Sequence, residues 1–387
     1  MSTSAETDPR AGHARRLDPP PTALVEDGRY RFGSYDGPIA LINPLDVAGT
    51  SGWGARVRRA ARDLRMKEWE AFQLGNDEWF VLGAVYNAKL IALLQVLAVH
   101  KQTGRIHRWE KKVPPTEVSV ARGLDGTRSH GRTKAPGGEG EFSVAIGNDV
   151  SEGRLTVDAS HPGRADRGSG SLPALELHGV GDCGPQQAAH QVICHPFSHD
   201  RALYSDKVMM PFAGTLRIGD ELIELEQQSS FMILDDHHGE YPSPMVYDWV
   251  TGIRNEGGAD DGPGSDGRGI VGFNLTDNQV RAPERFNENA VWIGTRVHRL
   301  PAVHFERPDD VHGRWRVRNA AAGAGGGRID VGFTPTVRSE MHVGPRHALA
   351  EYYAPYGWFD GSITTAEGLV IELDGFFGVG EQKHMRL

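Results

Sequence analysis

The segment from Phe231 to Ile253, FMILDDHHGEYPSPMVYDWVTGI, gathers most of the residues that could perform acid–base chemistry. An apolar run leads into Asp235, Asp236 and His237, and a second strand-like run carries Asp248. A strand that ends in carboxylates and imidazoles can direct several titratable groups at one cavity, which general acid–base catalysis requires. We therefore predict that these four residues are catalytic and converge on one cavity.

Asp248 is the first candidate for the acid, because it interrupts the apolar residues of its predicted strand. A carboxylate in such a strand is costly unless it is paired or faces a polar cavity. His237 is the first candidate for its partner. In the alternative interpretation, Asp248 is exposed and simply alternates with inward-facing Tyr247 and Trp249.

Further polar and aromatic residues are expected to bind the substrate. A hairpin between the predicted strands 245–253 and 269–275 would bring Asn274 near Asp248 or Val250, because antiparallel partners have a constant index sum. Asn274 would then orient a carboxylate or the substrate, unless its amide only caps a strand end. The residues predicted to bind substrate are Tyr241, Trp249, Asn274, Asn287, Glu288 and Glu381.

The sequence does not favour a metal or nucleotide site. His237 and His238 are adjacent, so they point to opposite faces of an extended chain, and neither HExxH nor a paired CxxC pattern occurs. The glycine-rich stretches 323–327 and 378–380 lack the strand–turn–helix context of a phosphate-binding loop, and GxSxG is absent. We expect no metal and no cofactor.

Composition limits the classes of partner. The 387 residues carry a formal net charge of −9, which gives no general attraction to nucleic acid or anionic lipid. The longest apolar run, 90–99, is about half of what a membrane-spanning helix needs, so no membrane insertion is expected. Cys183 and Cys194 are too few for a disulfide framework and are expected to be free thiols of a cytoplasmic protein. The expected partner is a small-molecule ligand.

The elements that must position these residues are mainly strands. Stretches such as WEAFQL and EWFVLGAVYN follow one another with short polar breaks, and no regular βαβ alternation occurs. An all-β chain of roughly fifteen or more strands exceeds one open sheet and is expected to form antiparallel barrels or sandwiches. One helix is predicted over residues 54–67, where an apolar stripe from Val57 to Leu64 lies beside arginines expected to be solvated.

Three segments are predicted. Residues 1–22 have the composition of a disordered extension. Residues 23–180 are expected to form an N-terminal β-barrel half, and residues 181–387 a C-terminal half that carries the site. The boundary is placed where the composition becomes richer in His and Asp.

Several long blocks resemble the bacterial domain of unknown function 2804 family. They are RMKEWEAFQLGNDEWFVLGAVYNAKLIALLQVL (65–97), DKVMMPFAGTLRIGD (206–220), ILDDHHGEYPSPMVYDWVTG (233–252), VGFNLTDNQVRAPERFNENAVWIGTRVH (271–298) and GFFGVGEQKHMRL (375–387). The resemblance implies an architecture of two consecutive lipocalin-like β-barrels, the class that includes carotenoid 1,2-hydratases and some cyclases. It assigns no role to any residue.

Three functions follow as hypotheses. The first is an acid–base enzyme that hydrates, isomerises or cyclises a small, partly apolar substrate. In this enzyme a protonated carboxyl protonates a double bond, and aromatic faces stabilise the developing cation. The second is a non-catalytic carrier of an apolar ligand. The third is a carboxylate-dependent hydrolase such as a glycosidase, with two carboxylates about 5–10 Å apart. A dry cavity without convergent acids would indicate the carrier.

Overall fold

The computed structural model describes residues 17–48, 52–135, 140–164, 171–256, 269–321, 327–343 and 350–386. Of the extension predicted for residues 1–22, the first sixteen lie outside this part of the chain. Residues 17 and 18 form a short strand that pairs with the strand at residues 33–35. Residues 17 and 18, which the prediction assigns to the extension, therefore belong to a sheet.

Strands account for most of the described residues, and this confirms the all-β fold class. The α-helix α1 spans Trp53–Asp63, and short 3-10 turns lie at Pro44–Ala48, Pro115–Glu117 and Val150–Glu152. The strands up to residue 239 are β1 (Leu17–Asp18), β2 (Val25–Glu26), β3 (Arg29–Tyr30), β4 (Gly33–Tyr35), β5 (Lys67–Gly75), β6 (Trp79–Asn87), β7 (Ala92–His100), β8 (Ile106–Val113), β9 (Val118–Ser119), β10 (Asp125–Lys134), β11 (Glu141–Asp149), β12 (Arg154–His161), β13 (Leu175–Asp182), β14 (Ala189–Pro196), β15 (Ala202–Ile218), β16 (Glu221–Leu225) and β17 (Phe231–Gly239). The remaining strands are β18 (Met245–Asn255), β19 (Ile270–Asn278), β20 (Ala290–Ile293), β21 (Arg296–Arg299), β22 (Val303–Glu306), β23 (Trp315–Asn319), β24 (Gly327–Val337), β25 (Glu340–Val343), β26 (Ala350–Tyr353), β27 (Tyr356–Thr365), β28 (Val370–Glu372) and β29 (Phe377–Met385).

Within the described residues the strands form two large sheets. The first contains 15 strands, namely β1 and β4 to β17, and the second contains 12 strands, β18 to β29. Each sheet curls around its own apolar core: Phe72 and Val157, from distant strands, share the first core, and Val250 and Ile371 share the second. The chain thus forms two consecutive barrel-like sheets, as predicted.

The change from one sheet to the other falls between β17 and β18. The strands of residues 189–239 pair within the first sheet, because β17 lies between β5 and β15. The proposed division at residues 180 and 181 into two folding units stays a prediction, but it does not coincide with the boundary of the sheets.

Alternation along β17 distributes the acids and imidazoles over two faces. Every residue of β17 is buried, and successive side chains of a strand point to opposite faces. Leu234 belongs to the core of the first barrel, whereas Ile233 belongs to a third apolar cluster that joins the two sheets. In that joint the ring centroids of Phe80 and Phe377, one from each sheet, are 5.9 Å apart.

The helix α1 is shorter than the predicted 54–67, because Lys67 already begins β5. Its predicted apolar face does not point into a core. Val57 is 52% exposed and Leu64 is 56% exposed. Helical periodicity identified an apolar stripe on α1, but it does not determine which face of the helix packs against the sheets.

Arg62 on the opposite face of α1 contacts the body instead. Its guanidinium pairs with the carboxylates of Asp200 and Glu240, and Glu240 also binds Arg65 at 2.7 Å. A buried carboxylate is destabilising unless cations compensate it, and Glu240 is almost completely buried. The expectation of a solvated arginine face is therefore wrong at Arg62, where an ion pair fixes the helix to the end of β17.

Two further observations concern membranes and thiols. None of the helices in the described part of the chain has the length and apolar character that a membrane span needs. Cys183 and Cys194 are both buried free thiols. The cytoplasmic location stays a prediction.

Candidate functional site

A cavity of about 140 Å³, measured for the centres of water-sized molecules, lies between the two sheets. It is bounded by β5, β6, β7, β15 and β17 on one side and by β18, β19, β26 and β29 on the other. The apolar part of its wall consists of Ala71, Leu82, Ala84, Ile91, Leu93 and Met341. Residues of both sheets line the cavity, so it lies between the two barrels and not inside either one.

Lys207 lies on the polar side of this cavity, between two carboxylates. Its ammonium is 2.6 Å from Oδ1 of Asp235, its register partner in β17, and 3.7 Å from Oε2 of Glu288. The hydroxyl of Ser205 donates a hydrogen bond of 2.7 Å to the same oxygen of Glu288. This cluster connects the first sheet to the segment that precedes β20.

His237 lies between the same two carboxylates. Its Nδ1 is 3.5 Å from Oδ1 of Asp235, and its Nε2 is 3.3 Å from Oε2 of Glu288. The edge of the ring meets Trp69, with ring centroids 4.4 Å apart. The imidazole therefore lines the cavity with an acid beside each nitrogen, an arrangement that can take up or release a proton.

The charges of the cluster stabilise one another. Burial alone would raise the pKa of Glu288, but Lys207 and His237 hold the pKa of that carboxyl well below its usual range. Burial likewise opposes the charge of Lys207, yet Asp235 and Glu288 raise the pKa of its ammonium. Glu288 and Lys207 are thus an ionised pair, and neither can donate or accept a proton readily near neutral pH.

Glu381 is a carboxyl of a different kind. It is buried in β29, and the phenol hydroxyls of Tyr247 and Tyr352 both donate hydrogen bonds to it, the first at 2.9 Å. Burial raises the pKa of Glu381 above its usual value, although the two phenols and Lys383 oppose the shift. A buried acid that holds its proton beside aromatic faces is suited to protonate a substrate.

Lys383, two residues beyond Glu381 on the same face of β29, contributes a further ammonium to the cavity. It lies among aromatic rings, the nearest being Tyr86 at 4.7 Å from the ring centroid. Burial lowers the pKa of Lys383 to about 8, and the neighbouring Glu381 opposes this shift.

Asn274 supports the site without lining the cavity. The indole nitrogen of Trp249 donates to its Oδ1 at 2.5 Å, and its own amide donates to the backbone oxygen of Glu288 at 2.9 Å. In the register of β18 and β19, Asn274 pairs with Thr251 and not with Asp248 or Val250. It therefore positions one aromatic and one acidic residue of the cavity.

The structure brings six of the ten predicted site residues to the cavity. These are Asp235, His237, Tyr241, Trp249, Glu288 and Glu381. Of the others, Asn287 forms a turn: its amide donates to the backbone oxygen of Pro283 at 2.7 Å, and its Oδ1 accepts from the backbone of Asn289 at 3.0 Å. The catalytic and binding roles of the six stay predictions.

Asp248 does not face the cavity. Because it precedes Trp249 in β18, its side chain points to the opposite face, where Arg307 binds it at 2.8 Å. Its side chain is 16% exposed, and its register partner in β19 is Asp277. The hypothesis of Asp248 as the acid paired with His237 therefore does not fit the structure, and Asp248 is the anion of an ion pair.

Asp236 also lies outside the cavity, in the polar interior of the first barrel. His238 Nε2 is 3.0 Å from its Oδ1, and Asp206 binds His190 at 2.9 Å nearby. Asp236 and Asp235 are neighbours in one strand, so they face opposite sides of the sheet. The predicted convergence of both on one site is wrong for this reason.

Glu70, the register partner of Asp236, gives this interior cluster a testable pH dependence. Burial, followed by the charge of Asp236, raises the pKa of Glu70 to about 8. Since the unfolded chain releases this proton at a lower pH, the folded state loses stability as pH rises from about 4.5 to 8. Glu70→Gln removes the effect and is expected to stabilise the protein by up to about 4 kcal/mol at pH 8 but little near pH 4.

Urea unfolding of the wild type and the variant at both pH values measures this difference. Glu110→Gln, the same change at an exposed position of β8, should leave stability unchanged at either pH. Equal stabilisation by Glu70→Gln at low and high pH would contradict a protonated Glu70.

A metal site is not formed by these groups. In the ranges covered by the structure, no set of three or more His, Cys, Asp and Glu residues has an arrangement that could hold a metal ion. His237 and His238 point to opposite faces of β17 and belong to separate clusters.

Sequence reasoning missed Lys207, Lys383 and the aromatic residues around Lys383. The sequence does contain a signal for Lys207, because this lysine interrupts the largely apolar stretch ALYSDKVMMPF just as Asp248 interrupts the apolar residues of β18. For Lys383 no local signal exists, since its aromatic neighbours come from four strands that are distant in sequence.

Solved structures that align with most of this chain have low sequence identity to it. CghA aligns with a TM-score of 0.45 and 11% identity, over 83% of this chain and 88% of that chain. CghA with Sch210972 gives a TM-score of 0.45 and 10% identity, and kievitone hydratase from Nectria haematococca gives 0.40 and 13%, with the same coverage. No curated protein matches the chain.

The resemblance found in the sequence is confirmed. A family model described as domain of unknown function (DUF2804) matches residues 15–387, nearly the whole chain. The chain therefore belongs to the DUF2804 family.

Proposed function

We propose that the protein is an enzyme that protonates a carbon–carbon double bond of a small, partly apolar substrate and so hydrates, isomerises or cyclises it. The observation that carries the proposal is Glu381: a buried carboxyl with a raised pKa, held by Tyr247 and Tyr352, at the wall of a largely apolar cavity. Because burial raises its pKa, this carboxyl keeps its proton to a higher pH than an exposed glutamate does, as a general acid requires.

In the first step the O–H bond of Glu381 breaks and a C–H bond forms at one carbon of the double bond. The electron pair of the π bond makes the new bond, so the neighbouring carbon becomes cationic. Trp249 lines the cavity, and its ring centroid lies 5.5 Å from the ammonium of Lys207. Its aromatic face can stabilise this positive charge on carbon in the same way.

In the second step His237 acts as the base. For hydration, a water oxygen bonds to the cationic carbon while Nε2 of His237 takes a water proton. For isomerisation or cyclisation, the same nitrogen takes a proton from an adjacent carbon. Glu288 and Asp235, one beside each nitrogen, stabilise the imidazolium that forms. The imidazolium then releases its proton to solvent, and the carboxylate of Glu381 takes up a proton from solvent.

The alternatives have less support. A carrier needs an apolar cavity and no reactive groups, whereas this cavity is lined by three carboxyls, three lysines and a histidine, namely Asp235, Glu288, Glu381, Lys112, Lys207, Lys383 and His237. A carboxylate hydrolase needs two carboxylates that face each other across a cleavable bond. Asp235 and Glu288 instead share contacts with Lys207 and His237, so no open space separates them.

Protonation at carbon has a direct test. The purified protein, incubated in D2O with a small-molecule extract, is expected to convert a compound into a product with one carbon-bound deuterium that does not wash out in H2O. Mass spectrometry of the extract detects the label and distinguishes hydration from isomerisation by the mass of one water. Turnover of a bound compound without any carbon-bound deuterium would contradict the proposal.

A further inference from the structure

Lys383 occupies an aromatic cage built from both sheets. Tyr247 and Tyr352 are its register partners on the two neighbouring strands of the second sheet. Trp69 and Tyr86, themselves register partners in the first sheet, lie across the cavity. The ammonium is 4.7 Å from the ring centroid of Tyr86 and 5.4 to 5.6 Å from those of the other three. Four π faces therefore surround this cation.

None of the four cage residues is an anionic partner for the ammonium. In the part of the chain that the structure describes, no carboxylate oxygen lies within 4.0 Å of Nζ of Lys383, whereas Lys207 has two such partners. The nearest acid along the strand, Glu381, accepts hydrogen bonds from Tyr247 and Tyr352 instead. A desolvated cation with free donors at a cavity wall is complementary to an anion that enters the cavity.

We infer that the ligand of this cavity is an unsaturated organic acid whose carboxylate binds Lys383 and whose hydrocarbon part lies against the apolar wall. The inference deepens the proposed function, on which it rests, by naming the substrate class. The wall that would receive the hydrocarbon part includes Ala71, Leu82 and Leu93. A carboxylate fixed at Lys383 would place atoms further along the chain beside Glu381, the neighbouring side chain on the same face of β29.

The charge of Lys383 makes the binding pH-dependent. The charged and titratable groups that face it are Glu381 on its own strand, Tyr247 and Tyr352 on the neighbouring strands, Tyr86 across the cavity and Lys67 at the start of β5. Lys67 repels the ammonium, and Glu381 attracts it once its carboxyl is ionised. Because burial lowers the pKa of Lys383 to about 8, the ammonium loses its proton as pH rises through this value, and carboxylate affinity falls with it.

The test compares cis-parinarate, an unsaturated fatty acid whose fluorescence increases in apolar sites, with its neutral methyl ester. Near pH 6 the wild type is expected to bind the acid at least about tenfold more tightly than the ester. Lys383→Met should remove this preference, Lys383→Arg should retain most of it, and the exposed control Lys134→Met should leave it unchanged. Raising the pH to about 10 should also remove the preference of the wild type for the acid.

Several results would overturn the inference. They are equal affinity of the wild type for acid and ester, binding of neither probe, or an acid preference that persists in Lys383→Met or at high pH. The outcome is separable from that of the proposed function, because probe binding requires no turnover. An acid preference that survives in Glu381→Gln, together with no deuterium incorporation by the wild type, would contradict catalysis and leave the substrate class standing.

Discussion

Glu381→Gln is expected to lower turnover by about 10²- to 10⁴-fold while the protein remains folded and binds its ligand. The amide keeps the shape of the side chain, and its oxygen still accepts a hydrogen bond from Tyr247, but it has no acidic proton to transfer. Because the wild-type acid acts in its protonated form, turnover should fall as pH rises through the raised pKa of Glu381. Rates measured on the substrate found by deuterium labelling, across a pH series, check both statements.

The matched control is Glu372→Gln, the same change at an exposed position of β28 in the second sheet. It should leave both rate and pH profile unchanged. Turnover of Glu381→Gln within a few fold of the wild type would exclude Glu381 as the acid.

Lys207→Met is expected to destabilise the protein by about 3–5 kcal/mol near neutral pH. The substitution leaves Asp235 and Glu288 buried beside each other without their shared cation. The depressed pKa of Glu288 means that the native pair contributes stability above the usual carboxyl range and loses it as pH falls. The destabilisation measured by urea unfolding should therefore be largest near neutral pH and smaller in acid.

Two variants separate this effect from a simple loss of packing. Lys134→Met, at an exposed position of β10, should change stability by less than about 0.5 kcal/mol. Combining Lys207→Met with Asp235→Asn and Glu288→Gln removes the uncompensated charges and should recover most of the loss. A loss that persists in this triple variant would show that Lys207 acts through packing and not through charge.

Local pattern was sufficient to predict the fold class and the main site segment. Short strands with polar breaks predicted the antiparallel sheets, and the acids and imidazoles at Asp235 and His237 do reach a cavity. The same alternation, applied strictly, would have separated Asp235 from Asp236, and Trp249 from Asp248, since neighbours in a strand cannot share a face. These two errors came from grouping residues by sequence proximity alone.

Other parts of the site could not be predicted from local sequence. Which face of β18 meets β17 depends on how two sheets pack. The cage of Lys383 likewise depends on contacts between strands from opposite ends of the chain, such as β5 and β29. The packing face of α1 could not be predicted for the same reason. The face that docks carries Arg62, which pairs with the distant carboxylate of Glu240, and not the apolar stripe from Val57 to Leu64.

The joint between the sheets also limits the thickness of any molecule that enters the cavity. Stacked sheets lie about 10 Å apart, which leaves room for one molecular layer where side chains are short, as at Ala71 and Ala84. Phe80 and Phe377 meet beside this gap and act as spacers between the two barrels. For the enzyme proposed above, we therefore expect a preference for flat conjugated substrates, imposed by hydrophobic residues that lie outside the site.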